Sequence, residues 1–181
     1  MSSFLFGLDF EVENTKVTLI RPELRRPFQF TFSSPVVLTY AVHFIGRAFI
    51  CPGGSLCPAC GTVSKRTLSL VAAGNEDNVA LCEIGAQTLV ELERIAATNN
   101  LENLHGSSWR FCRTIAKRPL AVEFVGLRPA DQRQMITEHK FLLCFAKLFS
   151  LPRPTVGANQ SLYAESIRTV LAEKLTRHLQ I

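Results

Sequence analysis

The run Cys57-Pro58-Ala59-Cys60-Gly61 places two thiols two residues apart, with proline inside the turn and glycine just after it. This spacing forms a knuckle in which both sulfurs point to one centre and backbone N–H groups can face them. Cys51 lies six residues before the knuckle and His43 eight residues before Cys51. Thiolate and imidazole are the ligands of a tetrahedral zinc ion, and a structural zinc site takes four protein ligands with no open position. The expected ligands are therefore Cys57 and Cys60, with Cys51 as the third and His43 as the fourth. His43 is favoured because it lies on an apolar stretch that leads into Cys51, and a neutral imidazole is a good zinc ligand. Cys82, in the strand-like run 78–84, stays open as the alternative fourth ligand.

A disulfide framework is the rival use of these cysteines. The N-terminus lacks the basic head, apolar run and small-residue cleavage site of an export signal, so the expectation is a reducing compartment, the cytoplasm, where metal binding is favoured. Cys112 and Cys144 stand alone and read as small buried hydrophobes. His105 and His139 have no nucleophile arrangement beside them, and the sequence shows no glycine-rich phosphate loop or paired-carboxylate signature. A zinc ion with four protein ligands has no place for an activated water, so the chain is expected not to be an enzyme.

The composition bounds what must position this centre. The chain has 181 residues, 47% of them apolar and 19% charged, which fits a globular protein with a sizeable core and excludes a disordered one. No apolar run reaches the roughly 18 to 20 residues needed to cross a bilayer. The formal net charge of +5 and pI near 9.1 suit a polyanionic partner.

Apolar residues recur at every second position at Phe4, Phe6, Leu8 and Phe10, and again at Phe28, Phe30 and Phe32, each set on one face of a strand. Between them Arg21, Arg25 and Arg26 with Pro22 and Pro27 mark an exposed basic loop. A long β-prone segment runs over 36–50, and strands are predicted near 65–71 and 79–84, joined by the polar turn 74–78. Over 85–97 the period changes, with Leu89, Leu92 and Ala96 on one helical face. Strands follow at 108–115 and 120–125. Helices are predicted after Pro129, carrying Met135, Ile136, Leu142, Leu143, Ala146 and Phe149, and from about Asn159 to Leu179, with Tyr163, Ile167, Val170, Leu171, Leu175 and Leu179 on one face. The order of three strands, helix and two strands is that of a five-stranded OB barrel, here with a zinc-binding insertion between its first and second strands. The expected fold is mainly β with α, an OB-like barrel followed by two helices. The expected division is an N-terminal β extension over 1–35, the zinc-containing barrel over 36–126 and a helical extension over 127–181.

A barrel that binds single strands offers aromatic rings to bases and cations to phosphates, each stacked base worth roughly 1 to 3 kcal/mol. The stretch 108–118 holds Trp109 and Phe111 with Arg110, Arg113, Lys117 and Arg118 and no acid. Arg47, Lys65 and Arg66 flank the metal loop, where a bound ion would give them a defined geometry, and Tyr40 is a further candidate ring. The alternative is that the rings are core and the cations a solvated edge.

The set His43, Cys51, Cys57 and Cys60, together with the element order over about 36–126, resembles the zinc-containing OB-fold single-stranded DNA-binding proteins of bacteriophages, the T-even helix-destabilising type. The resemblance covers about half of the chain. It implies a structural zinc and non-catalytic binding of single-stranded DNA or RNA in replication, recombination or a phage-related process. The runner-up is a zinc-stabilised adaptor that docks a protein partner through the C-terminal helices.

Overall fold

The computed structural model describes residues 14–75, 77–115, 119–129 and 135–180. The predicted strand over 4–10 and the basic residues Lys117 and Arg118 lie outside the described residues. Eight strands and four helices occur among the described residues: β1 (Lys16–Ile20), β2 (Phe28–Thr31), β3 (Leu38–Ile45), β4 (Arg47–Ile50), β5 (Lys65–Gly74), β6 (Asn78–Gly85), α1 (Ala86–Thr98), β7 (Ser107–Cys112), β8 (Ala121–Leu127), α2 (Glu138–Phe149), α3 (Gln160–Ser166) and α4 (Arg168–Leu179). The fold is mixed α/β, and no helix among the described residues is long and apolar enough to cross a membrane.

The strands form two sheets, one in the order β1-β6-β5-β3-β4 and one in the order β2-β7-β8. From Leu38 to Leu127 four strands, a helix and two strands follow one another, which is the predicted order with its first strand divided into β3 and β4. Their pairing differs from barrel closure. Closing five strands would require the outer edges of β3 and β6 to find β7 and β8. Instead β4 folds back on β3, β1 pairs in parallel with β6, and β2 takes the edge of β7. An edge that has a partner cannot accept another, so the extra strands β1, β2 and β4 occupy edges that closure would use.

The five-stranded sheet is covered on both faces. On one face Leu38, Leu70, Ala72, Val79 and Leu81 pack against Phe141, Leu142, Phe145, Tyr163, Ile167 and Leu171 of the C-terminal helices. On the other, Val71, Cys82 and Ile84 meet Phe30, Trp109 and Phe111 of the small sheet and Leu92 and Ala96 of α1. Burial on both faces explains why β5 reads as the near-continuous apolar run Leu70-Val71-Ala72, all three buried. The turn from β5 to β6 requires glycine at position 74: its φ is +115°, and an added Cβ would lie 2.0 Å from the Asn78 carbonyl oxygen.

The predicted 36–50 strand is two strands. Gly46, at φ +71°, lets the chain reverse between Ile45 and Arg47, which become partners across β3 and β4. The first C-terminal helix begins at Glu138, where the Thr137 hydroxyl accepts the Lys140 N–H at 3.2 Å, rather than near Pro129. The predicted helix over 159–179 is broken at Ile167 into α3 and α4; of the predicted face Tyr163, Ile167, Leu171 and Leu175 are buried, while Val170 is half-buried and Leu179 exposed. That face is used in the protein's own core, which leaves less of it for the partner that the adaptor reading requires.

Candidate metal centre

The hairpin at Gly46 builds the site. It returns the chain so that the Cys51 N–H donates to the Ala41 carbonyl at 2.8 Å, beside His43. The loop 51–64 then contains the knuckle, closed by N–H donations from Thr62 and Val63 to the Ala59 carbonyl at 3.1 and 2.8 Å. Lys65 returns the chain to the sheet in register with His43.

These connections bring the ligand atoms of His43, Cys51, Cys57 and Cys60 within 4.8 Å of one another, an arrangement that could hold a metal ion. His43 Nε2 lies 3.3 Å from Cys57 Sγ and 3.7 Å from Cys60 Sγ, and Cys51 Sγ is 3.5 Å from Cys60 Sγ. Zinc bonds of about 2.3 Å to sulfur and 2.0 Å to nitrogen put tetrahedral edges at about 3.5 to 3.8 Å, so the donor set fits that ion. The opposite ring nitrogen supports the same role. Nδ1 lies 3.2 Å from the Ser64 carbonyl oxygen, which can only accept, so Nδ1–H donates and Nε2 keeps its lone pair.

Burial is graded across the four. His43 is fully covered, Cys57 is buried, Cys51 is half-buried and Cys60 is exposed. Burial pushes the Cys51 thiol up to about 11. Burial also acts to raise Cys57, but the Ala59 N–H and hydrogen bonds from Cys60 and Cys51 outweigh it and hold this thiol below its ordinary value. A depressed thiol pKa makes the thiolate, the species that binds metal, easier to form. All six cysteines carry free thiols. Cys82, the alternative fourth ligand, is fully buried between β6 and the small sheet and stands outside the cluster; burial pushes its thiol up to about 12.

A small core of its own backs the site. Cys57 and Ala59 pack on Leu175 of α4, with Ile45, Phe49, Cys51 and Val63 around them. His178 extends this anchor, its ring 4.4 Å from that of Phe49 and its Nε2 2.9 Å from the Ile45 carbonyl oxygen.

The residues expected to bind nucleic acid separate into groups. Trp109 and Phe111 are fully buried, so the expected stacking role has no exposed face to act through. The Trp109 indole N–H donates to the Ser107 hydroxyl at 2.7 Å, and Phe28 and Phe32 lie against the two rings. Two-layer packing decides this: the strand face that carries both rings is the face turned to the five-stranded sheet. Tyr40 is half-buried, packed edge-on against Phe145 and Phe149, with its hydroxyl donating to Glu83 at 3.2 Å. Arg110 is exposed and paired with Glu123 across β7 and β8 at 2.8 Å. Arg113 is partly buried.

Arg47, Lys65 and Arg66 are exposed and gather at the end of the sheet that carries the metal loop. Arg47 and Lys65 lie on the His43 face of the strands, Arg47 over the Phe49 ring at 4.7 Å, whereas Arg66 has as its aromatic neighbour Phe44, which sequence reasoning passed over. Its ring is 52% exposed, it follows His43 directly on β3, and the Arg66 guanidinium stands 5.4 Å from its centroid. The available signal was strand period: with His43 turned to the cysteine cluster, residue 44 must face the opposite way. Comparison of the chain with protein-family models, with curated proteins and with solved structures finds no match.

Proposed function

We propose that the protein is a non-catalytic binder of single-stranded nucleic acid whose basic surface is fixed by a structural zinc ion. The observation that supports it is the exposed Phe44 residue with the Arg66 guanidinium over its ring, on the strand that supplies His43, while Lys65 and Arg47 bring two further exposed cations to the other face at the same end of the sheet. An exposed ring offers a base a stacking surface, and the cations offer phosphates a track. Phe44 takes the place that Trp109, Phe111 and Tyr40 were expected to fill. The three-cysteine, one-histidine donor set favours zinc, and all four positions of a tetrahedral ion would be filled by protein, which suits a structural ion. The strands and helix from Leu38 to Leu127 keep OB-like order, and this reading treats them as an opened OB-like arrangement in which the additional strands hold the edges.

The test is fluorescence polarisation of labelled oligothymidine at several salt concentrations, with a duplex as control. Single-strand binding should weaken with salt at a slope near 0.7 per phosphate contact in the log–log plot, and Phe44→Ala should lose roughly 1 to 3 kcal/mol. Binding that ignores salt and Phe44 would remove the proposal. Intrinsic tryptophan fluorescence is the wrong reporter, because Trp109 is enclosed.

A further inference from the structure

A cleft of about 700 Å³ opens where the end of β6, the first turn of α1 and the residues around Arg113 and Pro119 meet. Three arginines line it, Arg21, Arg66 and Arg113, against the single carboxylate of Glu83. That carboxylate is already engaged. It accepts the Tyr40 hydroxyl at 3.2 Å and pairs loosely with Arg21 at 3.4 Å.

Two of the three arginines have no carboxylate partner among the described residues. Arg113, which lines the cleft, keeps its Nε covered from solvent and without a hydrogen-bond partner among the described residues. A buried guanidinium N–H without an acceptor is an unmet demand of a kind that native structures rarely leave. Arg66 touches only the face of Phe44, a contact that leaves its N–H groups free to donate. The helix α1 also begins here: Gly85 at its N-cap has no side chain to bond the first-turn N–H groups, and that turn holds no acid. Thr88, the first hydroxyl of the helix, is turned to the Leu120 N–H at 3.1 Å instead.

We propose that this cleft is a binding site for a phosphate monoester dianion. Among the described lining residues, three cations against one carboxylate leave two positive charges, which matches a dianion. Guanidinium forks bind phosphate oxygens in pairs, and N–H groups at a helix start add to the same site. A cleft bounded by three elements holds one terminal group and does not track a backbone, so the ligand is a phosphate with a free end. The site shares Arg66 with the proposed strand surface but does not depend on it. Two sources carry this chemistry, the terminal phosphate of a strand and a free mononucleotide.

The experiment is a ³¹P NMR titration of the zinc-loaded full chain with inorganic phosphate, followed by competition. A saturable shift is expected, weakened at least tenfold in Arg113→Gln and in the more exposed Arg66→Gln, with both variants melting like the parent. Competition by 5′-phosphorylated oligothymidine but not by its hydroxyl-ended twin would assign the site to a strand terminus. Competition by a mononucleotide while both oligonucleotides fail would assign it to a free nucleotide, and would count against the single-strand reading and not against this site. Absence of saturable phosphate binding, or binding unchanged in Arg66→Gln, overturns the proposal.

Discussion

His43 Nε2 lies 3.3 Å from Cys57 Sγ, although fourteen residues separate the two in sequence and one belongs to a strand and the other to a loop. This approach joins the sheet to the cysteine loop. A metal ion between these atoms would tie β3, the knuckle and the start of β5 into one unit. Structural zinc in such small modules contributes on the order of 10 to 16 kcal/mol, a quantity comparable to the whole stability of a domain.

His43→Ala and Cys57→Ser should each lose metal and lower the melting temperature. Each removes one of four ligands, and His43→Ala also leaves the Ser64 carbonyl without its ring N–H. Metal content per chain together with calorimetric melting checks this. Full metal content in either variant would be inconsistent with the assigned ligand set.

Thiol reactivity separates the cysteines of the candidate metal cluster from Cys82 and Cys144. Cys82 and Cys144 are fully covered, and burial pushes their thiols up to about 12 and about 11. Both should stay inert toward a thiol reagent at neutral pH. Chelation in the native buffer should therefore add the exposed Cys60 and the depressed Cys57 thiol to the fast-reacting count, with the half-buried Cys51, pushed up to about 11, reacting more slowly. Mass mapping of the labelled peptides reads this directly.

Leu175→Ala should cost about 2 to 5 kcal/mol of stability and weaken metal retention, although Leu175 belongs to α4 and ligates nothing. Its side chain is fully buried against Cys57 and Ala59. Competition with a colorimetric chelator compares the off-rate of the ion with that of the parent. An unchanged off-rate would show that α4 does not brace the knuckle.

Trp109→Phe and Phe44→Ala should have opposite profiles. The first trims a buried ring and removes the indole N–H that Ser107 accepts, so it lowers stability and leaves strand affinity near the parent value. The second leaves stability within about 0.5 kcal/mol, as for a surface position, and lowers affinity. Parallel denaturation and polarisation measurements distinguish the two residues.

The sequence made the candidate metal cluster legible because the knuckle spacing is local: Cys57 and Cys60 converge through one turn whatever the rest of the chain does. The helix α1 was legible through its period, and Leu92 and Ala96 are indeed on its buried face. Strand partnership was not, because pairing depends on which edges meet in space. Val36 to Ile50 reads as one β-prone run, and only the reversal at Gly46 turns it into β3 and β4. The same limit applies to Trp109 and Phe111. Alternation put both on one face correctly, but whether that face meets solvent or another sheet is a matter of tertiary packing.

The most direct test of the central claim is metal analysis of the purified chain by mass spectrometry, with a melting curve before and after treatment with a strong chelator. The account predicts one zinc ion per chain and a large fall in melting temperature on chelation, reversed by adding zinc back. A chain that is folded without metal, and whose melting is unmoved by chelator, would contradict it.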